Sequence, residues 1–394
     1  IMAIFQLVLL LLLGGVGLSL LAPRLGVPWP ALLALAGAGL ALVPGMPEIR
    51  LVPGLALALF VAPVLLDSAY DTSLRDLRDN WAPVGSLVLV AVGLTIAAVA
   101  IIARTMEPGM GWAAAIALGA IVAPPDAAAA TAVLRQVRLP HRLVVILEGE
   151  SLLNDASALL AYKAAIAAAM GAALGGWGGV ALVAEAGGGL LLGYILARFY
   201  FVMTRRVVDE APAVVLQFLG TFGTWAVADA LGLSAVLTVV AYAVTIARFA
   251  PLRTDGRRRR ASYAVWNVVV FVLNVLAFIL IGLQLRGIVI RLTADLWHYA
   301  AFAATVLGVV IAVRAAWVLV FNAAVRWKVQ VYGMPAHRPM LRPTFAGGVA
   351  IAWCGMRGIV TLAAALALPE AFPQRDLIVF TAFAVVLGTL VVQG

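Results

Sequence analysis

Cysteine is almost missing from this chain of 394 residues: a single one, Cys354, excludes an intramolecular disulfide framework. Charge is scarce, at 11% of residues, and only three histidines occur. No His/Cys cluster and no Walker-type glycine loop is present, so neither zinc nor nucleotide chemistry is indicated and no cofactor is expected. The first apolar run, Met2 to about Leu21, lacks a basic leading segment and an Ala-x-Ala site. It therefore reads as a first membrane span rather than a signal peptide. In place of charge there is hydrophobicity, 64% of residues with a mean hydropathy of +1.09. A soluble domain of this size needs far more polar surface. Apolar runs long enough to cross a bilayer recur along the whole length. The composition is that of an all-α polytopic membrane protein.

Thirteen apolar spans can be drawn, at about 2–22, 28–43, 51–70, 82–103, 110–134, 143–171, 177–203, 211–228, 233–248, 262–285, 297–325, 345–368 and 376–394. Alternate loops carry eighteen basic residues on one side, the Arg257–Arg260 run among them, and five on the other. By the positive-inside rule this asymmetry places the N-terminus outside and the C-terminus in the cytoplasm, in a cell (inner) membrane. The net charge of +9 is thus an orientation signal lying against the lipid bilayer, and nucleic acid is set aside as a partner.

Two spans carry breaks. In the fifth, Pro124-Pro125 precedes Asp126; two prolines remove two backbone donors and disfavour helix before them. In the twelfth, Gly355-Met356-Arg357-Gly358 is a weak point at similar depth. The twelfth lies seven spans on from the fifth, an odd step, so the interrupted helices run in opposite directions. Paired interrupted helices in corresponding positions of an inverted repeat point to a transporter's binding site. The expected repeats are spans one to six and eight to thirteen.

Buried charge is costly in a bilayer, so acids at that depth are functional candidates. The sixth span carries Glu148, Glu150, Ser151, Asn154 and Asp155. Asp155 lies twelve residues into the span, about 18 Å and near mid-bilayer. Spacing of four puts Ser151 and Asp155 on one face, with Glu148 on nearly the same stripe, and Glu150 and Asn154 on a neighbouring face. Arg357 lies at matching depth in the twelfth span, and a permanent guanidinium there needs a carboxylate partner. One arginine cannot neutralise Asp126, Glu150 and Asp155 together, so at least one acid must bind a cation or a proton. Lys163 and Arg198 read as snorkelling side chains. Arg314 is deeper, with no partner assigned. Asn267, Asn274 and Gln284 read as interhelix polar contacts rather than ion ligands.

The string Gly119-Ala-Ile-Val-Ala-Pro-Pro-Asp126-Ala followed by Leu147-Glu-Gly-Glu150-Ser-Leu-Leu-Asn154-Asp155-Ala-Ser resembles the monovalent cation/proton antiporters of the NhaP/NHE type. Three further segments agree: Phe271-x-x-Asn274-x-x-x-Phe278-x-x-x-Gly282-Leu-Gln284-Leu, Gly355-Met-Arg357-Gly358 and Pro63-Val-Leu-Leu-Asp67. The resemblance implies an inverted-repeat antiporter fold of about thirteen helices with two broken, crossing helices. It implies dimerisation-domain helices over residues 1–81, a first core half over 82–171, a linker helix and further dimerisation helices over 172–285, and a second core half over 297–394. A homodimer follows from it. The implied cation- and proton-binding residues are Asp155, Asp126, Ser151 and Asp67, with Asn154 and Glu148 in support. The implied structural ion pair is Glu150 with Arg357. Asn154 before Asp155 looks like the electroneutral branch. Two departures stand out: the family often has Thr-Asp-Pro where this chain has Pro125-Asp126-Ala127, and glutamate where it has Asp67.

The expectation is a secondary active transporter, not an enzyme, that exchanges sodium for protons one for one in the service of pH homeostasis. Potassium in place of sodium is the first alternative, and a passive cation channel or an ion-sensing protein are rivals of another class. Only a loaded site can carry its carboxylates past a hydrophobic barrier, which is what couples the two fluxes.

Overall fold

The computed structural model describes residues 2–44, 52–71, 74–126, 129, 140–171, 177–205, 207, 209–253, 256–291, 296–333 and 343–394. These form helices and the short links between them. Eight are long and apolar enough to cross a membrane, and Trp29–Ala41, Trp112–Val122 and Ala235–Phe249 are shorter apolar helices. The sixth span is one helix, His141–Ala169, of 29 residues, about 44 Å long. Together with the divided twelfth span, the passes follow the thirteen expected from hydropathy.

Helix ends differ from the apolar limits where charge is tolerated beyond the bilayer. The tenth span starts at Gly256, so the Arg257–Arg260 run is the first turn of Gly256–Leu283 rather than a loop. The eleventh continues to Tyr332, taking Arg326 and Lys328 into the helix. Its 37 residues measure about 55 Å, well beyond the hydrocarbon thickness.

Both breaks are present. Trp112–Val122 ends ahead of Pro124-Pro125, and Ala123 to Asp126 are not helical. The continuation of the fifth span lies outside the described residues apart from Ala129. In the twelfth span Phe345–Trp353 and Ile359–Leu366 flank five non-helical residues, Cys354 to Gly358. The links cross: the Asp126 N–H donates to the Met356 carbonyl at 2.7 Å. Non-helical backbone at this depth survives only where protein satisfies it.

Two further irregularities are π turns, Leu57–Val61 in the third span and Ser86–Ala91 in the fourth. Such turns occur often at functional sites. Elsewhere small residues let backbones approach. A Cβ on Gly37 would overlap the Ile279 carbonyl, and one on Gly282 would overlap that of Ala34, so the second and tenth spans cross in direct contact. Trp29 wedges beside that crossing, its ring 5.9 Å from Phe271 and 5.7 Å from Phe278. A second apolar cluster joins Leu65, Leu66, Phe201, Trp225, Tyr242 and Trp266 from the third and the seventh to tenth spans.

Candidate functional site

The sixth span is helical through Glu148-Gly149-Glu150, so its acids take the faces that helical spacing dictates. The two faces meet different surroundings. On one, the Glu150 carboxylate is gripped by Arg314: Nη2 donates to Oε2 at 2.9 Å, and Nη1 donates to Oε1. Glu150 is 1% exposed and Arg314 3%. Arg314 Nη2 also donates to the carbonyls of Ile351 at 3.2 Å and Cys354 at 3.1 Å, at the end of Phe345–Trp353.

This corrects the pairing expected between Glu150 and Arg357. Arg357 is equally buried, but its guanidinium serves main chain instead. Nε donates to Val122 O at 2.9 Å, Nη2 to Ala123 O at 3.1 Å, and Nη1 to Gly355 O. The physical reason is the break itself. Interrupting a helix leaves its last carbonyls without partners, and those carbonyls also form the negative end of the half-helix dipole. The break carrying Arg357 lies against that of the fifth span, so the nearest acceptors are the carbonyls of both half-helices. Arg314 reaches Glu150 from the eleventh span, and depth along the helix does not distinguish the two arginines. The Arg357 N–H is held by Thr389 Oγ1 at 3.0 Å, which fixes the link.

On the other face the structure brings Asp126, Ser151 and Asp155 to one small cavity of about 30 Å³. That is room for about one water-sized particle. Pro124, Pro125, Gly358, Ile359, Val360 and Thr361 from the two breaks line it, with Phe60 and Val61 from the π turn and Asn274 and Phe278 from the tenth span. Asp155 is 8% exposed. No lysine or arginine lines this cavity among the described residues.

Local sequence explains how Asp126 gets there. The Asn154 amide donates to the Pro125 carbonyl at 3.0 Å, pinning the fifth-span link to the sixth span. Gly358 gives the carboxylate its space, since a Cβ there would overlap Asp126 Oδ2. Asp126 thereby lies at the start of Ile359–Leu366, where the helix dipole favours negative charge. Two bonds hold the sixth span in register: Ser157 Oγ to Val88 O at 3.1 Å, within the π turn, and Tyr162 Oη to Ala364 O at 2.8 Å.

Asp67 is half-buried one turn beyond Val64 and is not among the cavity's lining residues. Glu148 is half-buried and likewise outside the lining. Lys163 pairs with Glu185, and Arg198 lies over the Phe249 ring at 5.8 Å. The sequence reading missed two oxygen-bearing neighbours, Thr361 and Asn274. Asn274 stands within its motif, where spacing alone reads as interhelix contact. Thr361 had no signal beyond its place four residues after Arg357.

The family described as "Sodium/hydrogen exchanger, transmembrane" matches residues 8–394. The chain is 33% identical over 394 residues to an uncharacterized Na(+)/H(+) exchanger of Mycobacterium tuberculosis, covering 95% of this chain and 70% of that protein. It is 32% identical over 393 residues to a sodium, potassium, lithium and rubidium/H(+) antiporter of Bacillus pumilus, covering 93% of this chain and 57% of that protein. Among solved structures, the sodium proton antiporter MjNhaP1 from Methanocaldococcus jannaschii at pH 8 superposes with a TM-score of 0.72 at 18% identity. That match covers 100% of this chain and 94% of the other, and the fold is therefore shared.

Proposed function

Because the chain belongs to the sodium/hydrogen exchanger family, we propose that it exchanges sodium for protons across the membrane, one for one, by alternating access at the Asp155–Asp126 cavity. The observation that carries this reading is the meeting of two acids from different spans in one ion-sized cavity with no basic residue in its wall among the described residues. Asp155 takes either a proton or the cation, and Asp126 and Ser151 complete the cation's surroundings. A site holding neither keeps bare charge, which the apolar walls of Phe60, Val61 and Phe278 oppose moving. Occupancy therefore licenses the movement, and the two ions compete for it. Asp67 and Glu148, outside the cavity wall, serve the approach to it.

The moving unit in this proposal comprises residues 82–171 and 297–394, and residues 1–81 with 172–285 form the stationary, dimerising part of a homodimer. The N-terminus lies outside and the C-terminus in the cytoplasm of a cell (inner) membrane, as the eighteen-to-five basic asymmetry supports. Asn154, in place of an acid before Asp155, supports electroneutrality, since it contributes no second charge on that turn. A second reading, potassium in sodium's place, is supported by the Bacillus pumilus relative, whose name includes both ions.

The test uses proteoliposomes with an imposed sodium, potassium or lithium gradient and a pH reporter inside. Coupled proton movement is expected with sodium and absent in Asp155→Asn. Full exchange in that variant sinks the proposal. Clamping the voltage with valinomycin and potassium checks stoichiometry, and a strong voltage effect rules out one-for-one exchange.

A further inference from the structure

Two side chains at the cavity have no role in the exchange scheme above, Thr361 and Asn274. Thr361 lies in the first turn of Ile359–Leu366 and is 1% exposed. A buried helical threonine ordinarily returns its hydroxyl to the carbonyl four residues back. Thr95 does so to Ala91, Thr221 to Gln217 and Thr238 to Ser234, each at 2.7 to 2.8 Å. For Thr361 the residue four back is Arg357, which lies in the non-helical link. The usual acceptor is out of position, and the Thr361 hydroxyl makes no hydrogen bond among the described residues. The Asn274 amide makes none either. Both belong to the wall that holds Asp126, Ser151 and Asp155.

We infer that Thr361 Oγ1 and the Asn274 side-chain oxygen are ligands of the transported cation and set which monovalent cation the site prefers. The inference rests on the exchange reading and adds residues from the tenth and twelfth spans to it. A cation entering a cavity of about 30 Å³ leaves its hydration shell behind, and protein oxygens must replace it. A proton needs no such shell, because it sits on one carboxylate oxygen. Neutral oxygens at this wall therefore favour the cation over the proton. Ser151, Thr361 and Asn274 supply three of them from three different spans, so the spacing of those spans sets the size of ion that satisfies all three together.

The experiment measures half-saturating sodium, lithium and potassium at fixed pH in proteoliposomes, beside the proton dependence at limiting cation. Thr361→Val keeps the volume and removes the hydroxyl. It is expected to raise half-saturating sodium about tenfold, the scale of one hydrogen-bond-strength contact to a charged group, with a smaller fall in maximal rate and an unmoved proton dependence. Thr361→Ser should return half-saturation close to the starting value, and Asn274→Ala should change the sodium-to-potassium ratio. Unchanged half-saturation for all three cations in Thr361→Val overturns the assignment. A lower maximal rate with unchanged half-saturation also overturns it, because that is the mark of a structural role. Should the valine variant fail to reach the membrane, Thr361→Ala carries the same expectation. Full exchange in Asp155→Asn is a separate outcome, which sinks the exchange reading and this assignment with it.

Discussion

Glu150 and Asp155 stand five residues apart on one unbroken helix, both buried, yet they have opposite electrostatic fates. Glu150 faces Arg314, with two nitrogens on two oxygens, so a fixed cation stands against its charge. Asp155 faces another acid across a cavity with no basic residue in its described wall. A paired buried carboxylate holds spans together. A carboxylate set against its like has to take up something mobile to be tolerated there. The difference comes from where each stripe of the helix points rather than from depth or sequence neighbourhood.

The largest expected effect lies on the Asp155 side. Asp155→Asn is expected to abolish coupled proton movement while leaving the fold intact, read as transport beside a melting curve in detergent. If the melting temperature collapsed along with transport, Asp155 would belong with Glu150 as a structural group and the contrast would fail. Next comes the reverse experiment. Arg314→Met alone strands a buried carboxylate and should destabilise by about 3–5 kcal/mol, whereas adding Glu150→Leu should recover most of that loss. A double variant no more stable than the single one would show that the Arg314 bonds to Ile351 and Cys354, rather than the ion pair, carry the effect.

Gly358→Ala probes the boundary between the two regions. Its methyl would overlap Asp126 Oδ2, so a cost of about 1–3 kcal/mol is expected, together with a clear loss of exchange because Asp126 must move. Unaltered transport in this variant would mean that the position of Asp126 is not critical. Asn154→Ala should cost about 1–3 kcal/mol by leaving the buried Pro125 carbonyl unsatisfied, seen as a lower melting temperature. The smallest effect belongs to Lys163→Gln at the part-exposed pair with Glu185, where a change of under about 1 kcal/mol is expected. A larger one would give that rim a structural weight comparable with the interior.

Much of this contrast was legible beforehand. Hydropathy located the passes, prolines and glycines located both breaks, and a spacing of four separated the Glu150 face from the Asp155 face. Each of these depends on residues near one another in sequence. What was not legible depends on rotation and distance between helices. Arg314 and Arg357 are both permanent cations buried among the same spans, and only the packed arrangement shows which of them meets Glu150. The π turns at Leu57–Val61 and Ser86–Ala91 leave no mark in composition, because alanine, leucine and valine suit either helix type. Thr361 was hidden for a related reason: a threonine in an apolar helix is unremarked until the carbonyl it should bond is seen to be displaced.

The guanidinium of Arg357 has a further consequence for how the protein is made. Its fork closes carbonyls at Val122 and Ala123, more than two hundred residues earlier in the chain, as well as one at Gly355. During synthesis the first half enters the bilayer long before Arg357 exists, with those carbonyls open in a medium that offers no water to satisfy them. The first half cannot close its own break with this guanidinium, which the second half supplies. A chain stopped before Arg357 should therefore keep that break open and be cleared by membrane proteolysis faster than the whole one, however well its earlier spans have inserted.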